Sequence, residues 1–135
     1  MTTVRIPAIK VLLLPKDTNA HGTIFGGVIL SHIDLASAIQ ARTVAAQRYV
    51  TRAMREVEFH EPVFVGDIVS FFTETVRIGR TSVPVRVLVE AERWGAPSPA
   101  GRAADTPAER IKVTEAEVVF VAVNAEGHPV PIRPE

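Results

Sequence analysis

An α+β fold, with one long helix set against an antiparallel sheet, is what this sequence predicts, and three features predict it. The chain has 135 residues, 47% of them hydrophobic, enough for one compact domain that buries roughly 68% of its unfolded surface. One stretch, from just after Gly26-Gly27 to Gln47, contains neither Gly nor Pro and is rich in alanine. Beyond Tyr49 the apolar pattern changes to a period of two, broken by clusters of Gly, Pro, Asn and Asp, as in strands joined by turns.

Residues Arg5 to Leu14 lean toward a strand, and Pro15 stops them. Pro15-Lys16-Asp17-Thr18-Asn19-Ala20-His21-Gly22 is a polar segment rich in turn formers. The helix is expected from Gly27 to Ala46. Val28, Ile29, Leu30, Ile33, Leu35, Ala36, Ala38, Ile39, Ala41, Val44 and Ala45 cover most of its circumference. Apolar coverage all round implies burial on nearly every side, under a curved sheet or against a subunit partner. Strands follow over Thr51 to Phe59, Ile68 to Ile78, Thr81 to Arg93 and Arg110 to Val123. His60-Glu61-Pro62 with Gly66-Asp67, and then Gly79-Arg80, supply the turns between the first three. Trp94 to Pro107, with three prolines, two glycines and four alanines, is expected to be a flexible β–β connection. Pro84 interrupts a strand pattern, so an edge or a bulge is expected there. No internal repeat is present, and residues 1–135 are expected to form one domain.

Composition excludes several functions. Fifteen Lys plus Arg balance fifteen Asp plus Glu, which argues against a general nucleic-acid binder. Twelve of the fifteen cations are arginine, so local phosphate forks remain available. Without cysteine there is no disulfide, no thiolate nucleophile and no thiolate-bound zinc. Met1 to Pro15 carries only the short apolar run Val11 to Leu14, too little for an export signal. Val118 to Val123 is far short of the ~20 residues of a membrane-spanning helix, and a soluble, cytoplasmic protein is expected.

Two features bear on chemistry. Asp34 sits in mid-helix with no Lys or Arg within helical reach. A carboxylate in apolar surroundings costs several kcal/mol unless hydrogen-bonded, paired or protonated. Such a setting suits either a general base or a structural aspartate that caps or pairs elsewhere. At the mouth of the same helix, Gly22-Thr23-Ile24-Phe25-Gly26-Gly27 lets a ligand approach the unsatisfied amides of the first turn, as a phosphate or developing oxyanion requires. A tight loop needing unusual backbone angles reads the same way, and neither nucleotide-loop spacing is present. Asp34 follows Gly27 by seven residues, ~10 Å along a helix axis and on nearly the same face. That is long for one carbonyl, so donor and base are expected from different subunits.

His21, His32, His60 and His128 are scattered without metal-binding spacing, and no metal or cofactor is expected. No histidine is placed to activate Ser31 or Ser37 as a nucleophile. Arg77, Arg80 and Arg86, with Thr81 and Ser82, surround the Gly79 turn and suit either a phosphate clamp or a solvated hairpin.

Taken in order, Asp17-Thr18-Asn19-Ala20-His21-Gly22-Thr23-Ile24-Phe25-Gly26-Gly27, Ile33-Asp34-Leu35-Ala36, Phe59-His60-Glu61-Pro62-Val63, Val65-Gly66-Asp67 and Val76-Arg77-Ile78-Gly79-Arg80-Thr81-Ser82 resemble hotdog-fold acyl-coenzyme A thioesterases. The similarity is to the bacterial YciA-type enzymes and the cytosolic brain-type acyl-CoA hydrolases. It continues through Thr114-Glu115-Ala116 and Val121-Ala122-Val123, so it spans nearly the whole chain.

The resemblance implies a long helix wrapped by a five-stranded antiparallel sheet, a dimer with a continuous sheet, and further assembly into hexamers. It implies an active site at the dimer interface and acyl-CoA as substrate. Asp34 matches the catalytic carboxylate, a general base for water in preference to a direct nucleophile. Asn19 matches the asparagine that orients water or the thioester carbonyl, and the amide of Gly26 or Gly27 would hold the oxyanion. Arg80, Thr81 and Ser82 match a segment that contacts coenzyme A. The Ala/Pro-rich Ala96 to Glu109 loop departs from the family pattern and is expected to alter access to the pocket. Two alternatives share the fold. One is an enoyl-thioester hydratase, which needs a paired histidine and acid where this loop presents Asn19 and Gly26-Gly27. The other is a non-catalytic acyl-CoA-binding regulator, which lacks the helix carboxylate.

Overall fold

A computed structural model describes residues 5–94 and 108–133. One helix, α1 (Gly26–Val44), lies against a five-stranded antiparallel sheet of β1 (Ile9–Leu12), β2 (Tyr49–Phe59), β3 (Ile68–Thr75), β4 (Ser82–Arg93) and β5 (Glu109–Ala122). The spatial order is β1-β3-β4-β5-β2, so β1 and β2 form the two edges. This is a single hotdog domain, as expected. Among the described residues no helix is long and apolar enough to cross a membrane.

Most element limits fall within two residues of those predicted. The exceptions are β1, confined to Ile9–Leu12 although pairing propensity runs from Arg5 to Leu14, and β3, which ends at Thr75 rather than Ile78. The first strand has only β3 to pair with, Ile9 against Phe71 and Leu12 against Ile68. β3 runs on to Thr75, opposite Arg5 to Ala8 in this register, so the early stop falls at Pro7, which has no N–H to donate to the ladder. A short 3₁₀ turn, Pro15–Asp17, lies within the predicted turn segment. Of the expected connection from Trp94 to Pro107, residues 95–107 lie outside the described part of the chain.

Alternation on β4 explains the core. Val83, Val85, Val87, Val89 and Ala91 point inward and are fully buried, while Arg86 points out. They meet Val69 and Phe71 of β3, Val118 and Phe120 of β5, and Ile29, Ile33, Ala36 and Ala41 of the helix. The helix lies chiefly across β3 and β4. Gln40 fixes its far end, donating to Thr75 Oγ1 at 3.0 Å and accepting from Thr73 Oγ1 at 3.1 Å.

Pro84 departs from expectation. It lies in a central strand opposite Val119 with no bulge. Its carbonyl accepts Val76 N at 2.9 Å, so its missing N–H falls on the β3 side, just past the last β3–β4 pair, Thr75 with Val85. The β5 ladder is untouched. The bulges are elsewhere: between Thr51 and Ala53 and between Arg55 and Glu58 in β2, and at Val113 of β5, opposite Val89 and Glu90. Glu56, inside the second β2 bulge, has φ 56°. Such irregularities bend a strand and increase its twist, and here they curve the edge strand.

Burial of α1 is one-sided within the chain. Ile29, Ile33, Ala36, Ser37 and Ala41 are buried, whereas Leu35 is 57% and Ile39 46% exposed. The sheet therefore covers part of this all-round apolar helix, and the outer apolar residues are left for another surface.

Candidate active site

The loop ahead of the helix is organised by Asn19. Its Oδ1 accepts the amides of His21 at 2.8 Å and Thr23 at 3.3 Å, and its Nδ2 donates to Thr23 Oγ1 at 2.9 Å. The Asn19 amide donates to Thr23 O at 2.8 Å, and Gly22, at φ 85°, closes the turn. Only glycine takes that conformation without strain. This is the Asx geometry that makes asparagine a turn former. The carboxamide shapes the loop and keeps one Nδ2 hydrogen for another acceptor.

Ile24 N donates to Val63 O at 2.8 Å and Phe25 N to Asp17 O at 2.8 Å, which fixes where the helix begins. Phe25 at the N-cap gives no side-chain cap. Val28 N reaches Phe25 O at 3.0 Å, while no acceptor among the described residues takes the amides of Gly26 and Gly27. Both donors sit at the positive end of a 19-residue helix. A Cβ on Gly26 would lie 3.8 Å from Phe59 Cζ, and one on Gly27 would collide with the Phe25 ring. Beside these amides opens a cavity of about 330 Å³ lined by Ile24, Gly26, Ile29, Phe59, His60, Glu61, Pro62 and Val63.

The wall that carries Pro62 and Val63 is locked by an ion pair. Arg93 Nη2 and Nε reach the two oxygens of Asp67 at 2.7 and 3.1 Å, and Nη2 also donates to Pro62 O at 3.1 Å. Asp67, only 2% exposed, accepts Phe64 N at 2.9 Å as well. The Arg93 guanidinium stacks 4.6 Å from the Phe64 ring centroid. Its bond to Asp67 holds it above its ordinary pKa, against the lowering effect of burial.

Asp34 is half-buried on the side of the helix that faces β2. The partner expected from outside the helix is a hydroxyl rather than an arginine: Thr51 Oγ1 donates to Asp34 Oδ1 at 2.7 Å. Sequence reasoning missed Thr51. It is an exposed position near the start of an edge strand, and the bulge that follows it leaves no trace in periodicity.

The chain does not bring all the candidate residues together. Asn19, Gly26 and Gly27 cluster at the N-terminal end of the helix, and Asp34 lies roughly 10 Å further along it. Arg80, Thr81 and Ser82 lie at the opposite end of the sheet, where Thr81 O accepts Ala122 N and Arg80 O accepts Ile132 N, both at 2.8 Å. Arg86, grouped with them by sequence, pairs instead with Glu56 at 3.6 Å. Ser31 and Ser37 donate back to the helix carbonyls of Val28 and Ile33. His32 stacks on Phe71 at 5.5 Å with Nδ1 against Val28 O.

Comparison with known proteins gives a consistent picture. A family profile described as Thioesterase superfamily matches residues 21–94. The acyl-CoA thioester hydrolase YciA of Escherichia coli K12 is 38% identical over 132 residues, covering 95% of this chain and 94% of that one. A crystallised hexameric hotdog-fold thioesterase of Campylobacter jejuni is 44% identical with a TM-score of 0.81, over 94% of this chain and 90% of that one. A hexameric thioesterase of Yersinia pestis is 30% identical with a TM-score of 0.81, over 99% of this chain and all of that one.

Proposed function

The chain belongs to the hotdog-fold acyl-CoA thioesterase family, and from that premise we propose that it hydrolyses acyl-CoA to a free carboxylic acid and coenzyme A with Asp34 as general base. The Asp34–Thr51 hydrogen bond carries this reading. Thr51 holds one carboxylate oxygen and leaves the other to take a proton from water. The water oxygen attacks the thioester carbonyl carbon, the C–S bond breaks, and the departing thiolate takes the proton back from Asp34. Direct attack by Asp34 is the less favoured route, because it needs a second, anhydride-cleaving step.

The amides of Gly26 and Gly27 receive the negative oxygen of the tetrahedral intermediate, and such a donor typically contributes about 3–4 kcal/mol to the transition state. Asn19 holds the loop and, through its remaining Nδ2 hydrogen, orients the water or the carbonyl. Arg80, Thr81 and Ser82 contact the pantetheine arm and phosphates of the coenzyme.

The working site forms between two copies of the chain. Roughly 10 Å separates donor from base within one copy, while a two-fold axis sets the donor of one against the base of the other. The exposed apolar residues Leu35 and Ile39 on the helix, and Val50 and Phe59 on edge strand β2, suit that contact. Hexameric relatives support further assembly into a trimer of dimers.

Crotonyl-CoA tests the reaction. Free thiol appearing in proportion to protein concentration is the expected result. Loss of the enoyl absorbance without thiol would make the protein a hydratase, and tight binding with neither change would make it a binder.

A further inference from the structure

We propose that Arg93 is a positioning residue for the oxyanion donors: with Asp67 it holds the Val63–Phe64 peptide, which sets where Gly26 and Gly27 present their amides; this rests on the reading of the protein as an acyl-CoA hydrolase. The helix start needs such a support. Phe25, its N-cap, supplies no side-chain cap, so neighbouring backbone has to place the first turn. Two bonds from the residues just ahead of Gly26 do so, Ile24 N to Val63 O and Phe25 N to Asp17 O, both at 2.8 Å. Ile24 and Val63 are themselves buried. A shift of the Val63 carbonyl would therefore carry the donors with it, and a misplacement of ~1 Å at a reacting centre can cost about 100-fold in rate.

The Val63–Phe64 peptide is gripped from both sides. Its carbonyl accepts Ile24 N, and its amide donates to Asp67 Oδ2 at 2.9 Å. Arg93 Nη2 donates to the same Asp67 oxygen at 2.7 Å and to the carbonyl of the preceding peptide, Pro62 O, at 3.1 Å. One guanidinium thus fixes both the carboxylate that orients the peptide and the chain that leads into it. A planar fork suits that task, whereas a lysine ammonium is a point charge on a flexible stem. The second bond at the helix start leads back to the same loop. Asp17, whose carbonyl takes Phe25 N, accepts Leu14 N on its Oδ2 at 3.0 Å. The adjacent Leu13 donates to Asp67 O at 3.0 Å and accepts Gly66 N at 2.9 Å. Stability alone does not account for this arrangement, because well-packed apolar residues often replace a buried ion pair without loss. What apolar residues would not supply is the direction of the Val63 carbonyl.

Two variants of the full chain test this. Arg93→Lys keeps a cation beside Asp67, and Arg93→Met/Asp67→Asn removes both charges while leaving an acceptor for Phe64 N. On butyryl-CoA, kcat per folded molecule should fall about tenfold or more in each, with KM within about twofold. A residue that served stability alone would lower Tm and leave the kcat of the folded fraction intact. The loss in Arg93→Lys should combine with that of Gly27→Ala to less than the product of the two, because both act on the same donors. With Thr51→Ala it should give about the full product. Hydrogen exchange by mass spectrometry over residues 22–27 should be faster in both variants than in wild type, with exchange in β5 unchanged. An unchanged kcat, unchanged exchange over 22–27, or a full product with Gly27→Ala would overturn the positioning role. Faster exchange there in both variants, of a protein whose wild type releases no thiol, would uphold the placement of the donors by Arg93 and overturn the hydrolase reading.

Discussion

Thr51 Oγ1 lies 2.7 Å from Asp34 Oδ1 and bridges the helix to edge strand β2, an element pair that otherwise touches little. The hydroxyl fixes the carboxylate rotamer and removes one of its oxygens from competition for the water. Thr51→Ala should lower kcat about 10- to 100-fold, the range for losing a hydrogen bond to a charged group, with KM little changed. Thr51→Ser should restore most of the loss. Steady-state kinetics on the three proteins checks this, and an unchanged kcat in Thr51→Ala would remove the positioning role.

The two glycines at the helix start should respond differently. A methyl at Gly26 makes ordinary contact with Phe59, whereas one at Gly27 pushes the Phe25 ring out of place. Phe25 is more than half exposed, so its ring can swing away and the fold should survive both changes. The Phe25 ring borders Gly27, so its displacement disturbs the donor end of the helix, and Gly27→Ala should therefore lose more kcat than Gly26→Ala. Equal losses, at equal melting temperatures, would mean that the Phe25 contact is irrelevant.

Arg93 and Asp67 should matter for stability more than any other ion pair described. Arg93→Ala strands a nearly inaccessible carboxylate with only the Phe64 amide for company. A cost of about 3 kcal/mol or more follows from an unpaired buried charge, a drop of roughly 10 °C in Tm for a domain of this size. The exposed pair Arg86–Glu56 should be worth less than about 1 kcal/mol. Thermal melts at one protein concentration would separate the two classes.

Local features of the sequence predicted the elements well. The Gly- and Pro-free stretch fixed α1 to within two residues at each end, and the period of two beyond Tyr49 located the four strands that follow it. The failures lie where partners decide. Arg5 to Ile6 has strand propensity but is cut off from the β3 ladder by Pro7, which has no N–H to donate, and Pro84 escapes a bulge because the neighbouring strand ends there. Asp34 was legible as a carboxylate without a helical partner, and Asn19 as a turn former. Thr51 was not legible, because a contact between residues 17 apart in sequence depends on how a bulged edge strand bends toward the helix. The spacing of Gly27 and Asp34 carried over directly, since both residues fall in the one helix.

Thiol release from a series of acyl-CoAs running from acetyl through butyryl and phenylacetyl to palmitoyl, with wild type beside Asp34→Ala, bears on the mechanism without intermediaries. Wild type should release free coenzyme A from at least one member of the series. The folded variant, assembled to the same oligomeric state, should release none above the uncatalysed rate. Wild-type turnover by Asp34→Ala would contradict the aspartate mechanism, and silence from a folded wild type across the series would contradict the hydrolase itself.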